Sequence, residues 1–253
     1  MQPVFELQGV GLRFGALKAL DGIELQIARG EKVAVIGPSG AGKSSLLALL
    51  NGTLDPSEGT VRVFGEELSR LHGRRRRAVQ REIGTIHQHL GLVDALRVVH
   101  NVNAGRLGRW SFATACASLV FPHGTREVSE ALRRVGLPEK LYERTERLSG
   151  GEQQRVAIAR VLIQQPKVTL ADEPVASLDR ENARDVLDLL VGLVDDLGGT
   201  LVTSLHDVGV ARTRFDRVIG LRQGRIAFDG PPEGIPEELL NELYALERQT
   251  PGP

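Results

Sequence analysis

The sequence predicts an α/β fold: a parallel sheet at the centre, an antiparallel β subdomain at the N-terminal side, and an inserted helical subdomain. Three observations carry this. "KVAVIG" is an unbroken apolar run, as expected of a strand buried on both faces, "KVTLADEP" and "GTLVTSLH" read as two further buried runs, and helical patterns alternate with them. "VFELQGVGLRF" and "GIELQI", between Val4 and Ile27, alternate in short apolar runs broken by Gly and Asp-Gly, and "TVRVFGEEL" continues that style. From Leu90 to Arg147 there are helical patterns such as "TREVSEALRRVGL" and no convincing strand.

In chain order, "KVAVIG" leads into a helix, "KSSLLALLNG", with Gly52 as its C-cap. The second and third buried runs follow helices from Gln153 to Gln164 and from Arg180 to Leu197, respectively before and after "KVTLADEP". This division predicts a core with its β subdomain over 1–89 and 156–230, a helical subdomain over 90–155 and a C-terminal tail over 231–253. The tail holds one or two amphipathic turns and ends in Pro and Gly. "GRRRR", Gly73 to Arg77, reads either as a solvated helix face or as a local contact for phospholipid or nucleic acid.

Composition narrows the function classes. With 41% hydrophobic residues in 253, the chain can bury a real core, which excludes a disordered protein. Lys plus Arg equals Asp plus Glu at 32 each, so the overall charge argues for no nucleic-acid partner. The single cysteine, Cys116, cannot close an internal disulfide, which fits a reducing compartment. "MQPVFELQGV" lacks the basic and long apolar regions of a secretory signal. "WSFATACASLVF" is too short and too rich in hydroxyls to span a bilayer core of roughly 30 Å. If the protein works at a membrane, other chains do the spanning.

The chemistry begins with Gly37, Pro38, Ser39, Gly40, Ala41, Gly42, Lys43 and Ser44, "GPSGAGKS", which match G-x-x-x-x-G-K-[ST] between a buried strand and a helix. Glycines let consecutive backbone N–H groups curl around phosphate oxygens, and the helix start adds partial positive charge. Lys43 brings a full charge to the β and γ phosphates, and the Ser44 hydroxyl is placed to ligate Mg²⁺. The expected ligand is a nucleoside triphosphate. In "VTLADEP", Asp172 would hold the Mg²⁺ shell, through water, and Glu173 would polarise the attacking water. His206 in "TSLHD" and Gln88 in "GTIHQHLGLV" read either as surface-loop residues or as groups within reach of the γ-phosphate. A second glycine turn, "LSGGEQQRVAIAR", opens another helix, with Val156, Ala159 and Ile163 on one face. Ser149 there either caps the helix or presents its hydroxyl to an anion.

With these motifs in order, the sequence resembles the ATP-binding subunits of ABC transporters over nearly its whole length. "GPSGAGKS" looks like the Walker A motif, "VTLADEP" the Walker B motif, "LSGGEQQ" the ABC signature, and Ser177 to Asp179 the D-loop. Gln88 falls at the Q-loop, His206 at the switch histidine, and Phe14 where the family stacks an aromatic ring on adenine. The resemblance implies a P-loop NTPase core of the ABC ATPase kind. It implies ATP with Mg²⁺, Ser45 beside Ser44 in the phosphate site, Gln88 with Ser44 and Asp172 at the metal, and Glu173, His206 and Gln88 in catalysis. It also implies a head-to-tail dimer in which Ser149, Gly150 and Gly151 of one copy close over the nucleotide of the other. The remaining implied partners are transmembrane permease subunits and, indirectly, a periplasmic or extracellular solute-binding protein, with the chain peripheral on the cytoplasmic face of the membrane.

"NVNAGRLGRWSF", "ADEPVASLDRENARDVLDLL" and "VIGLRQGRIAFDG" are most similar to phosphonate-import ATPases. The chain departs from them at "IHQH", where His87 and His89 replace the more usual aromatic and glutamine. The alternatives are an importer ATPase for another substrate and a non-transport ABC ATPase of phosphonate metabolism. A repair ATPase would need a long coiled coil, for which the segment between the two glycine turns is too short.

Overall fold

Two sheets organise the chain, and the order of their strands decides which loops meet. The computed structural model describes residues 3–176 and 178–236. The first sheet is antiparallel, in the order β2-β1-β4-β5, from β1 (Phe5–Phe14), β2 (Leu17–Ile27), β4 (Glu58–Val63) and β5 (Glu66–Glu67). The second has six strands in the order β10-β9-β3-β8-β7-β6. Its members are β3 (Lys32–Ile36), β6 (Ile83–Ile86), β7 (Val168–Asp172), β8 (Thr200–Leu205), β9 (Arg217–Arg222) and β10 (Arg225–Gly230). Neighbours from β9 to β6 pair in parallel, and β10 adds an antiparallel edge.

The apolar runs behave as their patterns require. Along β3, Val33 and Val35 enter a core shared with the antiparallel sheet and α1 (Lys43–Leu50), while Ala34 and Ile36 enter a second core with α6 (Gly150–Gln164) and α7 (Arg180–Asp196). A strand buried on both sides favours apolar residues at consecutive positions, hence the unbroken run of β3, while β7 and β8 also bury Thr169, Thr200, Thr203 and Ser204. The second core extends over α3 (Val98–Asn103) and α5 (Thr125–Arg134). The remaining α-helices among the described residues are α2 (Gly73–Arg81), α4 (Phe112–Val120) and α8 (Val208–Arg214). Among the described residues, no helix is long and apolar enough to cross a membrane.

Several local details differ from expectation or extend it. α6 starts at Gly150, three residues before the expected Gln153, because a cap at Ser149 holds two glycines in the first turn against their poor helix propensity. It runs unbroken through residue 155, where the sequence places a boundary. α7 stops at Asp196, with Leu197 as its C-cap. The hairpin β9–β10 turns on Gln223 and Gly224, both at positive φ (48° and 76°). Arg217 joins its two strands by donating to Asp229 Oδ2 (2.6 Å) and ties them to β2 by donating to the carbonyl of Gln26 (2.8 Å). The "GRRRR" run opens α2, where Arg75 forks onto both oxygens of Glu66 (2.7 and 2.6 Å) and Arg76 onto Asp55 and the carbonyl of Gly52 (2.8 Å). Two of its four arginines therefore tie the helix to neighbouring segments. Beyond the 3₁₀ turn Pro232–Gly234, the expected amphipathic tail lies outside the described residues, at 237–253.

Parallel register then sets the site. Ile36 pairs with Leu205, Asp172 with Ser204, and Ile86 with Ala171, so four strand ends lie along one edge. The loops leaving that edge carry Gly37 to Gly42, Gln88, Glu173 and His206.

Candidate active site

The loop after β3 is shaped by two glycines that nothing else can replace. Gly37 has φ 151° and a Cβ there would lie 2.2 Å from the carbonyl oxygen of Leu221; Gly42 has φ 106° and its Cβ would lie 2.7 Å from that of Ala19. Gly42 is the N-cap of α1 and brings no side chain to it, and no acidic residue sits in the first turn. The helix start thus keeps its positive end for an external anion. Lys43 is almost fully buried and donates to the carbonyls of Gly37 (2.9 Å) and Pro38 (3.2 Å), with its Nζ 3.6 Å from Glu173 Oε1.

The carboxylates divide as the strand end directs them. Asp172 Oδ1 accepts from the hydroxyls of Ser44 (3.1 Å) and Ser204 (2.7 Å). Glu173, one residue on, sits at positive φ (45°), and its backbone N–H donates to Ser204 Oγ (2.8 Å). A non-glycine residue in that conformation is strained, and here it turns the side chain away from Asp172 toward a different set of partners. Gln88 Nε2 donates to Glu173 Oε2 (3.1 Å), and His206 Nε2 lies 2.6 Å from Glu173 Oε1. Ser204 went unread in the sequence, although a hydroxyl inside the buried run "GTLVTSLH" was the available signal.

One cleft of about 360 Å³ collects Phe14, Ser39, Gly40, Ala41, Gly42, Lys43, Ser44, Ser45, Gln88 and Glu173. Leu17, Lys18 and Ala19 also line it; they follow Phe14 and were not predicted. Phe14 is 49% exposed, a flat apolar surface at the cleft that a purine can cover. A larger cleft, about 680 Å³ and lined by Arg106, Arg109, Arg126 and Arg134 among others, lies at α5 and the end of α6 and contains none of these parts.

Ser149, Gly150 and Gly151 line neither cleft. Ser149 Oγ accepts from the N–H of Glu152 (3.3 Å) while the Glu152 carboxylate accepts from the N–H of Ser149 (2.8 Å), a complete capping box. That N–H bond and the Lys140 ammonium at 2.9 Å hold the Glu152 carboxyl below its usual range. Of the D-loop, Asp179 caps α7 by accepting from the N–H of Asn182 (3.1 Å), and Ser177 lies outside the described residues. Beside Gln88, desolvation by the surrounding protein pushes the His87 imidazole below its usual value, Arg160 adds to this, and Asp172 opposes it.

An oxygen donor set of one hydroxyl and one carboxylate suits a hard cation that keeps phosphate and water as its other ligands, which is how Mg²⁺ binds beside a nucleotide. A backbone cradle, a buried lysine and a carboxylate held by a glutamine and a histidine make up a nucleoside triphosphatase of the P-loop class. Residues 20–176 match the family described as "ABC transporter", and the chain belongs to that family. It is similar to the phosphonates import ATP-binding protein PhnC of Anaeromyxobacter dehalogenans, 47% identical over 99% of this chain, although the chain spans only 50% of that relative. It is 44% identical to the protein of that name from Pseudomonas putida, over 98% of this chain and 92% of the relative. Among solved structures, it resembles a dimeric post-hydrolysis state of the ATP-binding cassette MJ0796 bound to ADP and Pi (30% identity, TM-score 0.76, 91% and 100% of the two chains). It also resembles cbiO1 of Clostridium perfringens, part of the transporter complex cbiONQ (28% identity, TM-score 0.79, 98% and 97%).

Proposed function

We propose that the chain is the ATP-hydrolysing subunit of an importer for phosphonates or a related phosphorus oxyanion. The substrate class rests on identity of 44% or more, across nearly all of this chain, to two proteins named for phosphonate import. The chemistry rests on one observation: Gln88, His206 and Lys43 converge on Glu173 at the mouth of the phosphate loop.

ATP lies in the cleft with its adenine on Phe14. The N–H groups from Gly40 to Ser45 and the Lys43 ammonium hold the phosphates. Ser44 and Asp172, with Gln88, would hold Mg²⁺, which supplies charge neutralisation on the β and γ phosphates. Glu173 accepts the proton of the attacking water, Gln88 orients that water, and His206 holds Glu173 and the γ-phosphate in register. Ser149 to Gly151 of a second copy complete the site across a head-to-tail dimer, dimers being known for the MJ0796 cassette.

The chain works as a peripheral subunit at the cytoplasmic face of the membrane, divided into a core (1–89 and 156–230), a helical part (90–155) and a tail (231–253). Permease subunits dock on the helical part, where Phe112, Leu119, Val120 and Phe121 expose apolar surface on and beside α4. A solute-binding protein delivers the cargo to the permease and does not touch this chain.

Deleting the gene tests the reading. Growth on an alkylphosphonate as sole phosphorus source should stop, growth on inorganic phosphate should continue, and the wild-type gene but not Glu173→Gln should restore it. Undiminished growth on the alkylphosphonate would refute the substrate class.

A further inference from the structure

Arg160 lies on the third turn of α6, the helix that Ser149 opens. Its Nη2–H donates to the carbonyl of Leu90 (2.5 Å) and its Nη1–H to that of Gly91 (2.8 Å). Both residues are left-handed, at φ 52° and 58°, and follow Gln88 in the loop leaving β6. Burial holds the guanidinium below the usual arginine value, and it makes no ion pair among the described residues. Among the described residues this partly buried cation is held by neutral carbonyls alone, where an apolar side chain would pack the loop without the cost of withdrawing charge from water. Its origin is fixed as well. A Cβ on Gly105 would lie 2.2 Å from the carbonyl oxygen of Arg160, so the two backbones are in direct contact.

The other end of this connection is catalytic, because Gln88 Nε2 donates to Glu173 Oε2. An α-helix is stiff over a span of about 15 Å, the rise from Gly150 to Arg160. A displacement at Ser149 is therefore carried to the guanidinium with little loss.

We propose that Arg160 is a positioning residue that ties Gln88 to the placement of α6. Seating Ser149 to Gly151 on a second copy's nucleotide then sets Gln88, and through it Glu173, in the chain's own site. Each site thereby reads the occupancy of the other. This rests on the head-to-tail dimer proposed above.

A double-mutant cycle on the full chain tests it, with Mg-ATP hydrolysis as readout. Arg160→Gln should lower kcat about tenfold while leaving KM within about twofold, the pattern of a lost transition-state arrangement. Added to Gln88→Ala, it should lower kcat by less than about twofold more, because the two act as one unit. Losses that multiply in the double variant, or wild-type kcat in Arg160→Gln, would overturn the proposal. If Arg160→Gln does not fold, Arg160→Lys serves, since one ammonium cannot fork onto two carbonyls. Amide exchange of the nucleotide-free chain separates this from the dimer reading: Arg160→Lys should speed exchange at residues 90–92 and leave β7 unchanged. Unchanged exchange there would refute the tie itself. Faster exchange together with full hydrolysis in Ser149→Arg would instead refute the dimer, and with it the transmission.

Discussion

The two glycine-rich helix starts of this chain are chemically unlike. At α1 the cap is a glycine without a side chain, the first turn has no acid, and a buried lysine stands behind it. At α6 the cap is a serine whose hydroxyl is already an acceptor, and the chain's own Glu152 sits in the first turn. The first start leaves its positive end unanswered by any side-chain cap or first-turn acid, as an anion site requires. The second has its positive end partly answered from within, and offers an incoming phosphate the remaining hydroxyl proton and the N–H groups of the glycine turn. On the proposed function, the difference teaches a division of labour: α1 would bind the nucleotide, and α6 would add a weaker contact that matters once a nucleotide is held elsewhere.

If α1 is the binding half, Lys43→Ala should give the largest loss. Hydrolysis should fall by about a thousandfold or more, with nucleotide binding weakened in parallel, because a charge aimed at developing phosphate charge is removed. Fluorescent-nucleotide titration beside a turnover assay checks this, and retained binding would show that the backbone cradle suffices alone. Glu173→Gln comes next. It should lower turnover about a hundredfold or more and leave binding intact, so that gel filtration with Mg-ATP shifts the variant toward a dimer. Wild-type turnover would remove Glu173 from its assigned role.

The smallest effect concerns the α6 cap. Glu152→Gln should lower stability at pH 7 by about 0.5–1 kcal/mol, measured by urea unfolding. Its carboxyl is depressed in the folded chain, so it stabilises above its ordinary value of 4.5 and that contribution is lost as pH falls below it. Wild type and variant should therefore converge in acid. A gap that stayed constant from pH 7 to pH 4 would mean that the capping box is not the source.

Legibility in the sequence followed the range of the interactions. Gly37 to Ser44 could be read because the loop, its lysine and its helix are contiguous, and the parallel strands because burial on both faces leaves mostly apolar runs, unbroken in β3. Ser149 stayed ambiguous for a physical reason: capping needs the same hydroxyl and the same helix start that an anion needs, and the structure shows the cap. The β9–β10 hairpin went unread because Gln-Gly is a weak turn signal beside Asn-Gly. The partners of Ser204 and Arg160 are not legible in the sequence because they lie 31 and 70 residues away. No local pattern encodes such a contact.

The central claim is that a working site takes α1 from one copy and α6 from another. Lys43→Ala and Ser149→Arg chains, each inactive alone, should be mixed and assayed for Mg-ATP hydrolysis. By two-fold symmetry, half of the dimers are mixed and each has one intact site, which sets a ceiling of about a quarter of wild-type turnover. The intact site lies on the Ser149→Arg chain, whose own α6 is not seated, so the coupling through Arg160 lowers the recovery below that ceiling, and the account predicts hydrolysis well above that of either component alone. A mixture as inactive as its components, with mixed dimers demonstrated by differential tagging, would contradict it.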